Sequence, residues 1–184
     1  YGVMPSGGAD TRTSSLIIPG SGYNESGPIA SNDQLDYHYG ILDALRKKGG
    51  DVFVYVKPNE DFLAWHDGKK KVYQDYFLTD HINRGGSYSG SYLVMSMAVA
   101  KFLKGRYEKL IIAGLSQGGA ATLLNAIQSE PDIAIVASGY SSLNEKFEEN
   151  GPNQIMGVRM QSMVNDGEKL REILGNMTTR FLFT

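Results

Sequence analysis

The stretch KLIIAGLSQGGAATLL, residues 109–124, decides the fold of this chain. Its apolar run LIIA predicts a buried strand over Lys109–Ala113. The run that begins with AATLL is rich in helix-forming residues and predicts a helix over Gln117–Gln128. Between the strand and the helix lies the pattern G-x-S-x-G, centred on Ser116, in the strand–turn–helix context that this motif requires.

The spacing of this motif has a steric reason. A sharp, strained turn carries the serine, so Gly114 and Gly118 must lack side chains if strand and helix are to pack closely. The turn lifts the Ser116 hydroxyl above the sheet and points the N-terminus of the helix at a reacting carbonyl oxygen. We therefore predict that Ser116 is a nucleophile and that the Gln117 backbone N–H is an oxyanion-hole donor. The alternative is a tight turn without chemistry.

Outward from this stretch, short apolar runs alternate with longer amphipathic ones between clusters of glycine. The predicted strands are Ser15–Pro19, Asp51–Lys57, Asp132–Ala137 and Arg180–Thr184, and the predicted helices are Asp33–Lys48, Ser91–Leu103 and Asp166–Leu174. This alternation implies right-handed crossovers. We predict an α/β fold, a mainly parallel sheet with helices on both faces, forming one partial domain over residues 1–184. The stretch Pro58–Arg84 lacks such a pattern and is predicted to be a long excursion on the ligand side of the sheet.

A second motif follows the first clear strand. The loop PGSGYNESG, Pro19–Gly27, is rich in glycine and begins at the carboxyl end of that strand. In acyl-transfer enzymes with a nucleophile turn, the second oxyanion donor comes from a loop after an earlier strand. Ser21 or Gly22 is the candidate for that donor. An ordinary turn is the plain alternative, and a phosphate-binding loop is disfavoured because Gly-Lys-Ser/Thr is missing.

Together, PGSG after a strand and GLSQGG between strand and helix resemble the α/β-hydrolase superfamily. The GLSQGG turn in particular is similar to that of carboxylesterases, acyl-protein thioesterases and dienelactone-hydrolase-like enzymes. In element order the resemblance covers the chain from about Ser14 to Thr184. It implies a serine hydrolase with a Ser–His–Asp triad that acts on a small-molecule ester or acylated substrate and needs no metal or organic cofactor.

The triad is where the chain departs from that superfamily, in which the acid and then the histidine follow the serine. All three histidines precede the serine in this chain: His38, His66 and His81. The run RFLFT at 180–184 resembles the strand after which the acid is due. The expectation is therefore an α/β-hydrolase domain whose last strands are missing, with the acid and the histidine beyond Thr184. Such a chain should hydrolyse activated esters slowly, because a serine hydroxyl without a base is a poor nucleophile.

Several alternatives stay open at this point. An early histidine could serve as the base from a non-standard position, and Glu145 or Asp166 could orient it as the acid. The chain could also be a hydrolase-like binding or scaffold domain without a triad, or an oligopeptidase-type peptidase. The ester and peptide alternatives cannot be separated on these residues.

The composition excludes several classes of function. The chain has 184 residues, with 18 Lys and Arg against 20 Asp and Glu, for a net charge of −2. It lacks the basic excess of a nucleic-acid binder, and we predict no nucleic-acid partner. It contains no cysteine, which excludes disulfides, thiolate zinc ligands and a cysteine nucleophile. The longest apolar runs, such as Leu93–Ala100, are far too short for a membrane span.

Overall fold

The computed structural model describes residues 2–4, 12–21, 25–32, 38, 40–58, 60, 79–139 and 167–184. The strands are β1 (Gly2–Met4), β2 (Thr13–Ile18), β3 (Asp51–Val54), β4 (Lys109–Leu115), β5 (Ile133–Ala137) and β6 (Arg180–Phe183). The helices are α1 (Ser26–Ala30), α2 (Ile41–Arg46), α3 (Tyr88–Lys104), α4 (Gln117–Ser129) and α5 (Gly167–Gly175).

These strands form one sheet in the order β1-β3-β2-β4-β5-β6. Strand β1 is antiparallel to β3, and the other four pairings are parallel. At the centre, β2 pairs with β4 from Thr13 opposite Lys109 to Ile18 opposite Gly114. The predicted α/β class, with a mainly parallel sheet, is confirmed.

Helices cover both faces of the sheet. Consecutive residues of a strand point to opposite faces, and Leu16 and Ile17 of β2 belong to different apolar clusters accordingly. The Leu16 cluster includes side chains of α3, α4 and α5, such as Leu103, Leu123 and Leu170. The Ile17 cluster includes side chains of α1 and α2, such as Ile29 and Leu42. No helix within the described ranges is long and apolar enough to cross a bilayer.

Most predicted elements are present, with shifted ends. The largest correction concerns the helix predicted over Asp33–Lys48, because α2 begins only at Ile41. Gly40 precedes it with a φ of 67°, a left-handed conformation that stops a helix from continuing through that position. Residues 33–37 and 39 lie outside the described residues. The strand predicted over Asp51–Lys57 ends at Val54, and β1 and α1 were not predicted at all.

The order of the strands places a topological switch point at the centre of the sheet, between β2 and β4. The connection from β2 runs through α1 and α2 to β3 on one side, whereas the connection from β4 runs through α4 to β5 on the other. Ligands of open α/β sheets bind where neighbouring strands diverge in this way, at their carboxyl ends. That point lies between Ile18, the last residue of β2, and Leu115, the last residue of β4.

Candidate functional site

Ser116 occupies the turn between β4 and α4 in a strained conformation. Its φ of 56° and ψ of −120° are rare for a residue with a side chain. The backbone is held from both sides, since Ser116 N–H donates to Ala137 O at 2.8 Å and Ser116 O accepts from Ala120 N–H at 3.0 Å. Its side chain makes no capping hydrogen bond to α4. The strained turn predicted for Ser116 is confirmed, and its hydroxyl is not used to cap the helix.

The two glycines of the motif are required by close packing. A Cβ on Gly114 would overlap the Gly118 carbonyl group, and a Cβ on Gly118 would overlap the Ile18 carbonyl oxygen. Both obstacles are backbone atoms, which cannot rotate away as a side chain can. The steric reason predicted for G-x-S-x-G is therefore confirmed: the start of α4 packs directly against the ends of β4 and β2.

We expect Gly118→Ala to lower the free energy of unfolding by about 3 kcal/mol, because the added methyl group must push backbone apart. Urea denaturation followed by circular dichroism measures this loss. The matched control is Gly175→Ala in α5, where a Cβ meets nothing within 4 Å. The control should be neutral or slightly stabilising, since alanine is the better helix former. Equal urea midpoints for Gly118→Ala and the wild type would contradict the packing argument.

The loop after β2 lies beside this turn. The Pro19 carbonyl oxygen would stand 2.7 Å from a Cβ on Gly118, so the loop and the first turn of α4 are in contact. Pro19 and Gly20 are buried, whereas Ser21 is exposed. Two of the predicted oxyanion residues, Gln117 and Ser21, are therefore brought to the same edge of the sheet by neighbouring strands. Gly22 lies outside the described residues.

His38 has a partner in this loop. The side chain is buried, 4% exposed, and its Nε2 accepts a hydrogen bond from Gly20 N–H at 3.0 Å. Within the described part of the chain, no hydrogen bond joins Ser116 Oγ to a histidine. His81 lies in the helical residues 79–83, and its carbonyl accepts from Gly86 N–H at 2.8 Å. His66 and the candidate acids Glu145 and Asp166 lie outside the described residues, so a role for them stays a prediction.

A buried pair of charged residues, which the sequence does not predict, holds the loop after β2 in place. Lys57 and Glu60 follow β3 and are 1% and 2% exposed. Lys57 Nζ donates to the Gly20 carbonyl oxygen at 2.6 Å and lies 3.6 Å from Glu60 Oε1. Glu60 Oε2 accepts from both the N–H and the hydroxyl of Ser26 at the start of α1. The only hint in the sequence is the spacing of three between the lysine and the glutamate, which is common on protein surfaces.

Burial dominates the electrostatics of this pair. It lowers the pKa of Lys57 from the usual lysine value, an effect opposed by the nearby charges of Glu60 and Glu25. It raises the pKa of Glu60, against the hydrogen bonds of Ser26 and the charge of Lys57. Burial, together with the charge of Glu60, also raises the pKa of Tyr88, which keeps that phenol neutral. The charge of each partner thus offsets part of the cost of burying the other.

Two tyrosine hydroxyls also help to hold the loop after β2 in place. Tyr92 of α3 donates its hydroxyl to the Pro19 carbonyl oxygen at 3.3 Å, and Tyr55 donates to the Tyr92 carbonyl oxygen at 3.4 Å. Both side chains are buried, and their rings meet edge to face with centroids 5.5 Å apart. The loop is therefore anchored to the core by side chains from α3 and from the segments that follow β3 and precede α2.

The described residues contain no group of three or more His, Asp or Glu side chains arranged to hold a metal ion. No protein-family model matches the chain, and a search of curated proteins finds no match.

Proposed function

We propose that the protein is a serine hydrolase that cleaves carboxylic esters through an acyl-enzyme at Ser116. The observation that carries the proposal is the backbone of Ser116, whose φ of 56° interrupts the path from β4 to α4. Strain of about 1–3 kcal/mol at one residue persists only where the surrounding structure enforces it, and such residues cluster at functional sites. The position of Ser116 at the carboxyl end of β4, beside the topological switch point of the sheet, supports the same conclusion.

In the proposed reaction, Ser116 Oγ attacks the ester carbonyl carbon while a general base takes its proton. The carbonyl oxygen becomes an oxyanion, held by the Gln117 N–H and by the N–H of Ser21 or Gly22. The intermediate expels the alcohol, which leaves with the proton from the base. Water then attacks the acyl-enzyme by the same route and releases the acid. The superfamily resemblance assigns the role of the base to a histidine and the role of its partner to an acid.

Reaction with a fluorophosphonate probe tests the proposal directly. The serine oxygen displaces fluoride from phosphorus, and the adduct is located by mass spectrometry of tryptic peptides. We expect one adduct, on Ser116, in the full-length protein, and none in Ser116→Ala. A protein that stays unlabelled on Ser116 would favour the alternative of a hydrolase-like binding domain.

A further inference from the structure

The two peptide units that lead to Ser21 are each fixed by buried side chains. In the first unit, Tyr92 binds the Pro19 carbonyl oxygen and His38 binds the Gly20 N–H. In the second, Lys57 binds the Gly20 carbonyl oxygen at 2.6 Å. All three side chains are at most 4% exposed, so these contacts are made without competition from bulk water.

Because the peptide bond is planar, the contacts that fix a carbonyl group also fix the direction of the N–H group that follows it. In a trans peptide the carbonyl of one residue and the N–H of the next point to opposite sides. The Gly20 carbonyl points down at Lys57 in the core. The Ser21 N–H therefore points away from Lys57 and the core, and Ser21 itself is exposed. The position of Lys57 thus determines which way the candidate oxyanion donor is aimed.

A lysine affects the Gly20–Ser21 peptide more strongly than a neutral hydrogen-bond donor would. A hydrogen bond from an ammonium group is stronger than one between neutral groups. It also polarises the Gly20 carbonyl and, through the shared peptide unit, makes the Ser21 N–H a better donor. Glu60 lies 3.6 Å from Lys57 and balances its charge, and Ser26 holds the carboxylate in turn. Lys57 therefore brings a charge-assisted hydrogen bond to the Gly20 carbonyl oxygen.

We propose that Lys57, anchored by Glu60, is a positioning residue that aims the Ser21 N–H as the second oxyanion-hole donor. This inference rests on the proposed function and deepens it, because it names the Ser21 N–H as the second donor and Lys57 as the residue that positions it. Lys57 does not touch the substrate in this proposal; it acts through the Gly20–Ser21 peptide.

Two variants test it in the full-length protein. Lys57→Met removes the donor and the charge while it keeps the shape of the side chain. The double variant Lys57→Met/Glu60→Gln also removes the carboxylate charge, so that no unpaired charge stays buried. Ser96→Ala is the control, because it removes a buried hydrogen bond from Asn125 at 2.9 Å without touching the loop.

The first measurement is the amide resonance of Ser21 in a ¹H–¹⁵N NMR spectrum, which needs no activity. Loss of the charged partner on the Gly20 carbonyl should move the Ser21 amide proton upfield in both Lys57 variants and leave it unchanged in Ser96→Ala. An unmoved Ser21 resonance in the folded double variant would overturn the inference, whatever the protein's activity.

The second measurement is the hydrolysis of p-nitrophenyl acetate. Removal of an oxyanion donor lowers kcat by about 10²–10³-fold. A donor that points in the wrong direction should therefore lower kcat by roughly 10–100-fold and leave KM little changed. The double variant should show this loss even if it is as stable as Ser96→Ala, which a merely structural role would not produce. Wild-type kcat in the double variant overturns the inference and leaves the proposed function intact. Failure of wild-type Ser116 to react with a fluorophosphonate overturns the proposed function, whereas the NMR result still decides whether Lys57 holds the peptide.

Discussion

Replacement of Ser116 by alanine is expected to lower kcat for p-nitrophenyl acetate by about 10⁴–10⁶-fold in the full-length protein. Without the hydroxyl no acyl-enzyme forms, and only the oxyanion donors and the binding surface act on the ester. The free energy of unfolding should change little, because alanine and serine have similar difficulty with a φ of 56°. Initial rates at saturating ester, with matched urea denaturation curves, separate the loss of chemistry from a loss of fold.

The chain offers a matched control for this variant. Ser138 follows β5 at the same edge of the sheet, is exposed, and also has a positive φ, 48°. Ser138→Ala should keep the wild-type kcat, because the proposed chemistry does not use its hydroxyl. If Ser116→Ala hydrolysed the ester as fast as Ser138→Ala, Ser116 would not be the nucleophile.

Glu60→Gln is expected to lower the free energy of unfolding by about 3–5 kcal/mol. The substitution keeps the shape of the side chain but leaves Lys57, 1% exposed, without its counter-charge. The double variant Lys57→Met/Glu60→Gln should recover most of this loss, because a buried pair replaced as a unit leaves no isolated charge. Urea denaturation of the two single variants and the double variant gives the coupling energy between the pair.

An exposed pair provides the comparison. Arg12 and Glu108 lie 3.8 Å apart with side chains 70% and 67% exposed. Water screens such a pair, so Glu108→Gln should change the free energy of unfolding by less than about 1 kcal/mol. Equal effects of Glu60→Gln and Glu108→Gln would show that burial does not govern the Lys57–Glu60 interaction.

The features that could be predicted from the sequence are local ones. The run LIIA becomes the buried part of β4, and Gly114 reports the close approach of β4 to the start of α4, the segment that follows it directly in sequence. Such patterns depend on a few consecutive residues, which is why the turn and the order of strands and helices were predicted. Short elements such as α1, with five residues, carry too few residues to show a periodicity.

The support of the loop could not be predicted, because it depends on residues distant in sequence. Lysine and glutamate are usually exposed, and nothing near Lys57 indicates that its partner is the carbonyl of Gly20, 37 residues earlier. His38 is one of the candidate bases in the sequence, and its Nε2 accepts a hydrogen bond from the backbone of the loop. Burial of these groups follows from contacts between segments far apart in the chain, which the sequence pattern of each element does not contain.

The pairing of β2 with β4 has a consequence for how the chain folds. Ser14 and Lys109, hydrogen bonded across these strands, are 95 residues apart along the chain. Closing so long a loop loses chain entropy before the contacts compensate for it, so pairings of this kind form slowly. Until they form, the loop after β2 and the turn after β4 belong to separate parts of the molecule. We therefore expect the contact between this loop and this turn to be among the last parts of the structure to form.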